Sequence, residues 1–285
     1  MNRHLPASPL ISLEDLATRL QKPDLLILDV RPGREAFEAG HIPGAVHSDY
    51  AADGWRVAKG GAGGLLPDAD ALSGLLGRLG LRPENDVVVV SAGASANDFN
   101  AAARVYWTLK VAGHQRVSVL DGGHAGWARD RSRPVESGPA RQRPASDYRV
   151  RIDNTLRAEL ADVERAIERR SATLVDARSA AAFKGQEKSP QARIGGRLPG
   201  AVLADFTQAY DAVKNRLKSR DELQQLFAQV PDGEAISYCN TGHSAAGDWF
   251  VLSEILGRPG VKLYDGSMTE WSQDPARRTH VAWTR

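Results

Sequence analysis

Short aliphatic runs alternate along the chain with stretches whose apolar positions recur at helical spacing. The first half carries Leu25-Leu26-Ile27-Leu28, Val87-Val88-Val89-Val90 and Val117-Ser118-Val119-Leu120. The second carries Thr173-Leu174-Val175, Ala235-Ile236-Ser237-Tyr238 and Val261-Lys262-Leu263. Runs this short, separated by helical patterns, predict α/β architecture with a largely parallel sheet. Ser12 to Asp15 predicts a helix start before Leu13, Leu16, Ala17 and Leu20, and Ser219 to Glu222 predicts a capping box before Leu223, Leu226 and Phe227. Ala245 to Leu256 reads as an amphipathic helix closed by Gly257 at the C′ position.

The pattern is duplicated. Leu28-Asp29-Val30-Arg31, Phe37 and Ile42-Pro43-Gly44-Ala45-Val46 return as Val175-Asp176-Ala177-Arg178, Phe183 and Leu198-Pro199-Gly200-Ala201-Val202. Leu120-Asp121-Gly122 with Trp127 returns as Tyr264-Asp265-Gly266 with Trp271. A repeat spanning more than about 100 residues means tandem copies of a domain, because solenoid periods are about 20 to 50 residues. The 285 residues therefore divide into an N-terminal domain over 1–128, a linker over 129–147 rich in proline and arginine, and a C-terminal domain over 148–285.

Net charge changes little in this picture. A formal charge of +2 with 25% charged residues calls for no nucleic-acid partner. The N-terminal stretch Met1 to Leu16 lacks the charged head and apolar run of a signal peptide. Nowhere are there about 18 consecutive apolar residues, so a cytoplasmic protein without membrane contact is expected. The seven histidines, at 4, 41, 47, 114, 124, 243 and 280, show no metal-ligand pairing, and a single cysteine cannot build a thiolate zinc site. Neither metal nor cofactor is expected. No feature sets an oligomeric state.

That single cysteine, Cys239, ends an apolar run and opens Asn240-Thr241-Gly242-His243-Ser244 before the next helix. A thiol on a strand-loop-helix turn lies near unpaired backbone N–H groups that favour an anion, a setting for a nucleophile; a buried, inert cysteine is the alternative. The first copy differs at this point. Its matching strand runs into Ser91-Ala92-Gly93-Ala94-Ser95, with no thiol, and 36 residues separate Ser91 from Trp127 where 32 separate Cys239 from Trp271. Only one loop carries the chemistry.

The order Asp-x-Arg, Pro-Gly-Ala-Val, strand, Cys loop, helix and Tyr-Asp-Gly-x-x-x-x-Trp resembles the tandem rhodaneses, the thiosulfate and 3-mercaptopyruvate sulfurtransferases, over about Leu13 to Trp271. The resemblance implies two tandem rhodanese-like domains, the first without the catalytic cysteine. It also implies a persulfide on Cys239, taken from a small anionic sulfur donor and passed to cyanide or a thiol acceptor. Asn240, Thr241, Gly242, His243, Ser244 and Ala245 fall on the family's sulfur-cradling loop. A phosphatase of this fold needs a longer loop ending in arginine, whereas the sixth position after Cys239 is Ala245 and Arg258 lies too far along. A noncatalytic persulfide carrier is a further alternative.

The chain departs from both donor patterns, with Asn240 and Thr241 where the thiosulfate type carries two cations and the mercaptopyruvate type Gly and Ser or Thr. Ala182 replaces the arginine that clamps a mercaptopyruvate carboxylate, so thiosulfate is the expected donor, held by N–H groups, Thr241 and a protonated His243. Lys184 and Arg193 are candidates to steer an anion, with solvated surface charge as the alternative. Trp271 is a packing residue that could line the pocket mouth, and Trp55, with Asp49 and Tyr50, is a candidate to approach Cys239. Asp29 with Arg31 and Asp176 with Arg178 recur in both copies and so read as structural ion pairs. Ser244 reads as a helix cap, with a hydroxyl donated toward the sulfur as the alternative, and Lys59 to Gly64 as a flexible connector.

Overall fold

The computed structural model describes residues 8–140 and 143–281. His4, the first seven residues of the stretch read for a signal peptide, part of the linker and the last four residues lie outside the described residues.

The chain forms two compact units, neither contiguous in sequence. The first comprises Met1–Trp55, Pro67–Asp153 and Ala212–Arg216. The second comprises Arg56–Leu66, Asn154–Asp211 and Leu217–Arg285.

The first unit contains β1 (Leu10–Ile11), α1 (Leu13–Ala17), β2 (Leu25–Asp29), α2 (Arg34–Ala39) and β3 (Val46–His47). The intervening hairpin of β4 (Val57–Lys59) and β5 (Ala62–Leu65) belongs to the second unit. The first unit resumes with α3 (Ala69–Arg78), β6 (Asp86–Val90), α4 (Ala96–Val111), β7 (Val117–Leu120) and α5 (Gly123–Arg129). Its sheet runs β1-β7-β6-β2-β3, parallel throughout. The aliphatic runs are buried along their whole length, as parallel strands covered on both faces require. Ser12 caps α1 as expected, its hydroxyl accepting the Asp15 N–H at 3.0 Å.

The second unit contains α6 (Leu160–Arg169), β8 (Thr173–Asp176), α7 (Ala180–Lys184), β9 (Val202–Leu203), β10 (Tyr210–Asp211) and the Leu217 end of β11 (Arg216–Leu217). After these come α8 (Arg220–Leu226), β12 (Ala235–Tyr238), α9 (Ser244–Trp249), β13 (Val261–Leu263) and α10 (Ser267–Trp271). Its main sheet runs β13-β12-β8-β9, again parallel. The capping box at Ser219 and Glu222 is present.

Two expectations change. The helix after Cys239 continues beyond α9 as a π-helix over Phe250–Ile255, and every side chain from Ala245 to Leu252 is buried. It is enclosed, not amphipathic; tertiary packing overrides what the periodicity suggests. Gly257 does follow it at φ +72, the left-handed position expected of C′. The Gly-rich segment at Lys59 to Gly64 is also no loose connector. It forms most of the β4–β5 hairpin, and three backbone groups of that hairpin and the residue after it are tied to the second unit. Leu66 N–H donates to Asp265 at 2.5 Å, the Thr269 hydroxyl donates to the Gly63 carbonyl at 3.2 Å, and the Gln273 amide donates to the Gly61 carbonyl at 3.1 Å.

No described helix is long and apolar enough to cross a membrane.

Candidate active site

Cys239 follows directly on β12, an interior strand of its sheet, at the C-terminal edge where parallel α/β sheets bind ligands. It is a free cysteine, 3% exposed. The loop beyond it is fastened to the segment from Tyr264 to Thr269. The Met268 N–H donates to the Cys239 carbonyl at 3.1 Å and the Thr269 N–H to the Asn240 carbonyl at 3.0 Å. The Cys239 and Gly242 N–H groups both donate to the Ser267 hydroxyl, at 3.0 and 3.1 Å. Gly242 has φ +69, so glycine's conformational freedom is used there. A Cβ on Gly64, at φ +87, would collide with the Thr241 carbonyl, so the β4–β5 hairpin lies backbone to backbone against the Cys239 loop.

Asn240, Thr241, His243 and Ser244 are half-buried, while Gly242 and Ala245 are buried. Ser244 does not cap the helix. The N-cap is His243, with no side-chain capping bond, and Ser244 is the first helical residue. The cap expected from sequence fails because the loop turns into the helix one residue earlier.

The Asp-x-Arg pairs are structural in both copies and nearly superimposable in their bonding. The Arg31 guanidinium donates to Asp29 at 2.8 Å and to the Gly40 carbonyl at 2.8 Å; that of Arg178 donates to Asp176 at 2.6 Å and to the Gly196 carbonyl at 2.8 Å. The second pair does more. Arg178 also reaches Asn240 Oδ1 at 3.5 Å, and Tyr238 donates its hydroxyl to Asp176 at 2.7 Å. Burial works against the Arg178 charge, but the Asp176 carboxylate outweighs it and holds the guanidinium above its ordinary value, with Cys239 among the groups that favour the cation. A guanidinium paired with Asp176 therefore stands beside the cysteine loop. Sequence comparison missed this, since the pair is identical in the silent copy.

A second group was also missed. Asp248, on α9, is fully buried, and neither carboxyl oxygen has a hydrogen-bond partner among the described residues. Burial, reinforced by Asp176 and Cys239, pushes it well above the usual carboxylate range, which favours the uncharged acid there.

The other candidates are dispersed. Lys184 and Arg193 are exposed, and the Arg193 backbone N–H is bonded to Ser272 Oγ at 2.9 Å. Arg197 lies over the Phe183 ring at 4.4 Å. Trp271 is buried in the core of its unit and donates its N–H to the Arg278 carbonyl at 3.1 Å, just as Trp127 donates to the Pro134 carbonyl at 2.9 Å; both are packing residues. Trp55 is fully buried with its N–H on Ser48 Oγ at 2.9 Å, which leaves no surface for a substrate. Tyr50 is buried, and Asp49 accepts N–H bonds from Ala51 and Ala52 within its own turn and from Gly33 ahead of α2. Among the described residues no cluster of three or more His, Cys, Asp or Glu could hold a metal.

Two like parallel α/β units, one of them presenting a free cysteine on a strand-loop-helix turn, define the rhodanese class of protein. The chain belongs to the rhodanese-like domain family, which matches residues 12–130 and 159–274. It is 35% identical over 272 residues to a protein of Mycolicibacterium smegmatis provisionally named thiosulfate sulfurtransferase, covering 92% of this chain and 94% of that one. It is 32% identical over 287 residues to a Pseudomonas aeruginosa protein provisionally named 3-mercaptopyruvate sulfurtransferase, covering 96% and 98%. The crystal structure of SseA from Escherichia coli, described as a 3-mercaptopyruvate sulfotransferase, is similar with a TM-score of 0.79 and 27% identity, over 92% of this chain and 99% of that one. The chain is a sulfurtransferase of this family.

Proposed function

We propose that this enzyme takes the outer sulfur of thiosulfate onto Cys239 and passes it to cyanide or a thiol. The Cys239 thiolate attacks the sulfane sulfur, the sulfur–sulfur bond of the donor breaks, and sulfite leaves with the bonding pair. The acceptor then attacks the outer sulfur of the Cys239 persulfide, that bond breaks, and the thiolate returns. Atoms and charge balance without a cofactor or metal.

The observation that carries the reading is the setting of Cys239. It is the chain's sole thiol, at the C-terminal edge of an interior strand, on a loop held by four hydrogen bonds to Ser267, Met268 and Thr269, with the Arg178 guanidinium beside it. The Arg178 guanidinium, which Asp176 partly offsets, favours an anionic donor and the charge on the departing group. For thiosulfate over mercaptopyruvate, the support is Ala182, buried on α7 where a bidentate clamp would need an arginine. Arg197 is already stacked on Phe183. Asn240 to Ala245 contact the donor in this reading, and exposed Lys184 and Arg193 steer it. The silent domain is assigned to 1–128, the linker to 129–147 and the sulfur-carrying domain to 148–285, in a cytoplasmic protein.

The deciding experiment is steady-state turnover with thiosulfate and with 3-mercaptopyruvate side by side, together with intact mass after donor alone. One added sulfur on the wild type and none on Cys239→Ser is expected. Loading of the variant would sink the assignment, and a mercaptopyruvate preference would overturn the donor.

A further inference from the structure

The reversal that leads from the last sheet strand into the final helix is built twice, with one difference. In the first unit it is Gly122-Gly123, at φ +88 and +57; in the second it is Gly266-Ser267, at φ −66 and +50. The surrounding bonds establish the correspondence. His124 and Ala125 N–H donate to the Ser91 and Ala92 carbonyls at 2.8 and 2.9 Å, as Met268 and Thr269 N–H donate to Cys239 and Asn240. Ser267 therefore stands where the silent copy has Gly123, and it holds a left-handed conformation that glycine adopts freely and serine only at a cost.

A buried residue in an unfavourable conformation, where the sister copy has glycine, points to a function for its side chain. Ser267 is fully buried, and all of its hydroxyl's bonding capacity is used. It accepts the Cys239 and Gly242 N–H groups and donates to the Tyr264 carbonyl at 2.8 Å. Its proton is committed, so it has none to give to sulfur. The silent copy leaves no room for such a group, since a Cβ on Gly123 would lie 2.7 Å from the Ser91 carbonyl oxygen and from Gly93 Cα.

We propose that the Ser267 hydroxyl is a positioning residue for sulfur transfer, pinching the Cys239 loop by its Cys239 and Gly242 amides so that the thiol is held in attacking geometry. Two amides converging on one buried oxygen fix the curl of the four residues from Cys239 to Gly242. Holding a reacting group in place is worth orders of magnitude in rate. The inference rests on Cys239 being the sulfur carrier.

Ser267→Gly tests it, because glycine suits φ +50 and already occupies the equivalent place in the first unit; Ser267→Ala removes the same hydroxyl while keeping the strain. Single-turnover loading from thiosulfate or 3-mercaptopyruvate is followed by intact mass. We expect the saturating rate constant to fall at least about tenfold in both variants. The half-saturating donor concentration should stay within about twofold, and the endpoint should remain one sulfur per chain. A merely structural role would lower the endpoint, not the rate constant, and that result, or wild-type loading rates in Ser267→Gly, overturns the proposal. Alkylation of Cys239 by iodoacetamide at fixed pH needs no sulfur chemistry. Its rate should change at least about threefold in Ser267→Gly, and an unchanged rate counts against Ser267. If the wild type takes sulfur from neither donor, the carrier reading fails and the alkylation rate alone still judges the positioning role.

Discussion

The two units spend the same framework differently. Each has an Asp-x-Arg pair locked to a carbonyl across the turn, a tryptophan donating to a carbonyl seven residues on, and a pair of N–H groups returning to the strand-end loop. Beyond a sheet of five strands against four, what separates them most bears on that loop. In the first unit Ser91-Ala92-Gly93 packs so tightly on Gly122 and Gly123 that no side chain fits between. In the second, a hydroxyl is inserted there, Arg178 reaches across to Asn240, and the β4–β5 hairpin closes over Thr241. A repeated fold thus supplies the frame, and a few substitutions at the strand-end loop set apart the copy that carries the thiol.

The buried ionisable groups differ as well, and in opposite senses. His114 in the first unit is enclosed, with Asn85 carbonyl and Tyr148 hydroxyl on its two ring nitrogens at 3.0 and 3.1 Å, a pattern the neutral ring satisfies. Burial holds its pKa below the ordinary histidine value and pushes Tyr148 up to about 12. Asp248 in the second unit is shifted upward. For both groups burial disfavours the charged form.

The sharpest break in the comparison is Cys239→Ser, which should lower sulfur transfer by more than about 1000-fold while leaving the melting temperature within a few degrees, because the replacement is nearly isosteric. Turnover and a thermal melt check both halves. Next in size is donor choice: catalytic efficiency with thiosulfate should exceed that with 3-mercaptopyruvate by about tenfold or more, since Ala182 offers no bidentate partner to a carboxylate. Lys or Arg at 182 should narrow that ratio.

The pH dependence sharpens the contrast further. Asp248 has a folded pKa raised above its unfolded value, so stability falls as pH rises through and above about 4, by up to about 1.4 kcal/mol per unit until the folded value is reached. Asp248→Asn should remove that loss and raise stability by about 1 to 3 kcal/mol at pH 8, with no gain near pH 4. His114 has a lowered folded pKa, so its contribution is lost on the other side, as pH falls below about 6.5 and the unfolded chain takes up the proton. His114→Gln should flatten that acidic limb alone. Urea titrations from pH 4 to 8 on the two variants separate the limbs, and one common limb for both would refute the assignment.

The smallest expected effect is Ser91→Cys on the Cys239→Ser background, where no turnover should return. The first unit lacks the hydroxyl, the room for it and the shorter loop, so a thiol alone meets no formed cradle.

Much of this was legible in the sequence because it depends on local pattern or self-comparison. Aliphatic runs had to become buried strands, the repeat had to give two α/β units, and the lone thiol at a strand end had to be the chemically distinct point. Ser12 and Ser219 announced their caps because a cap needs only its next three residues. What failed in the sequence reading was burial and distance. Ala245 to Leu252 looked amphipathic and is enclosed, Trp55 looked like a pocket candidate and is core, and Lys59 to Gly64 looked like a tether and is an ordered hairpin.

The sequence by itself determined the duplication, the parallel α/β architecture and the place of the one thiol at a strand end, since each is written in periodicity or in the presence of one side chain. Only the tertiary structure decided that Ser267 closes the loop of Cys239, that Gly64 lies on Thr241 and that Asp248 is buried with no hydrogen-bond partner among the described residues. Those facts join residues far apart in the chain. Their energetics depend on which backbone groups are left to pair once the sheet and helices have packed, a condition that local spacing does not encode.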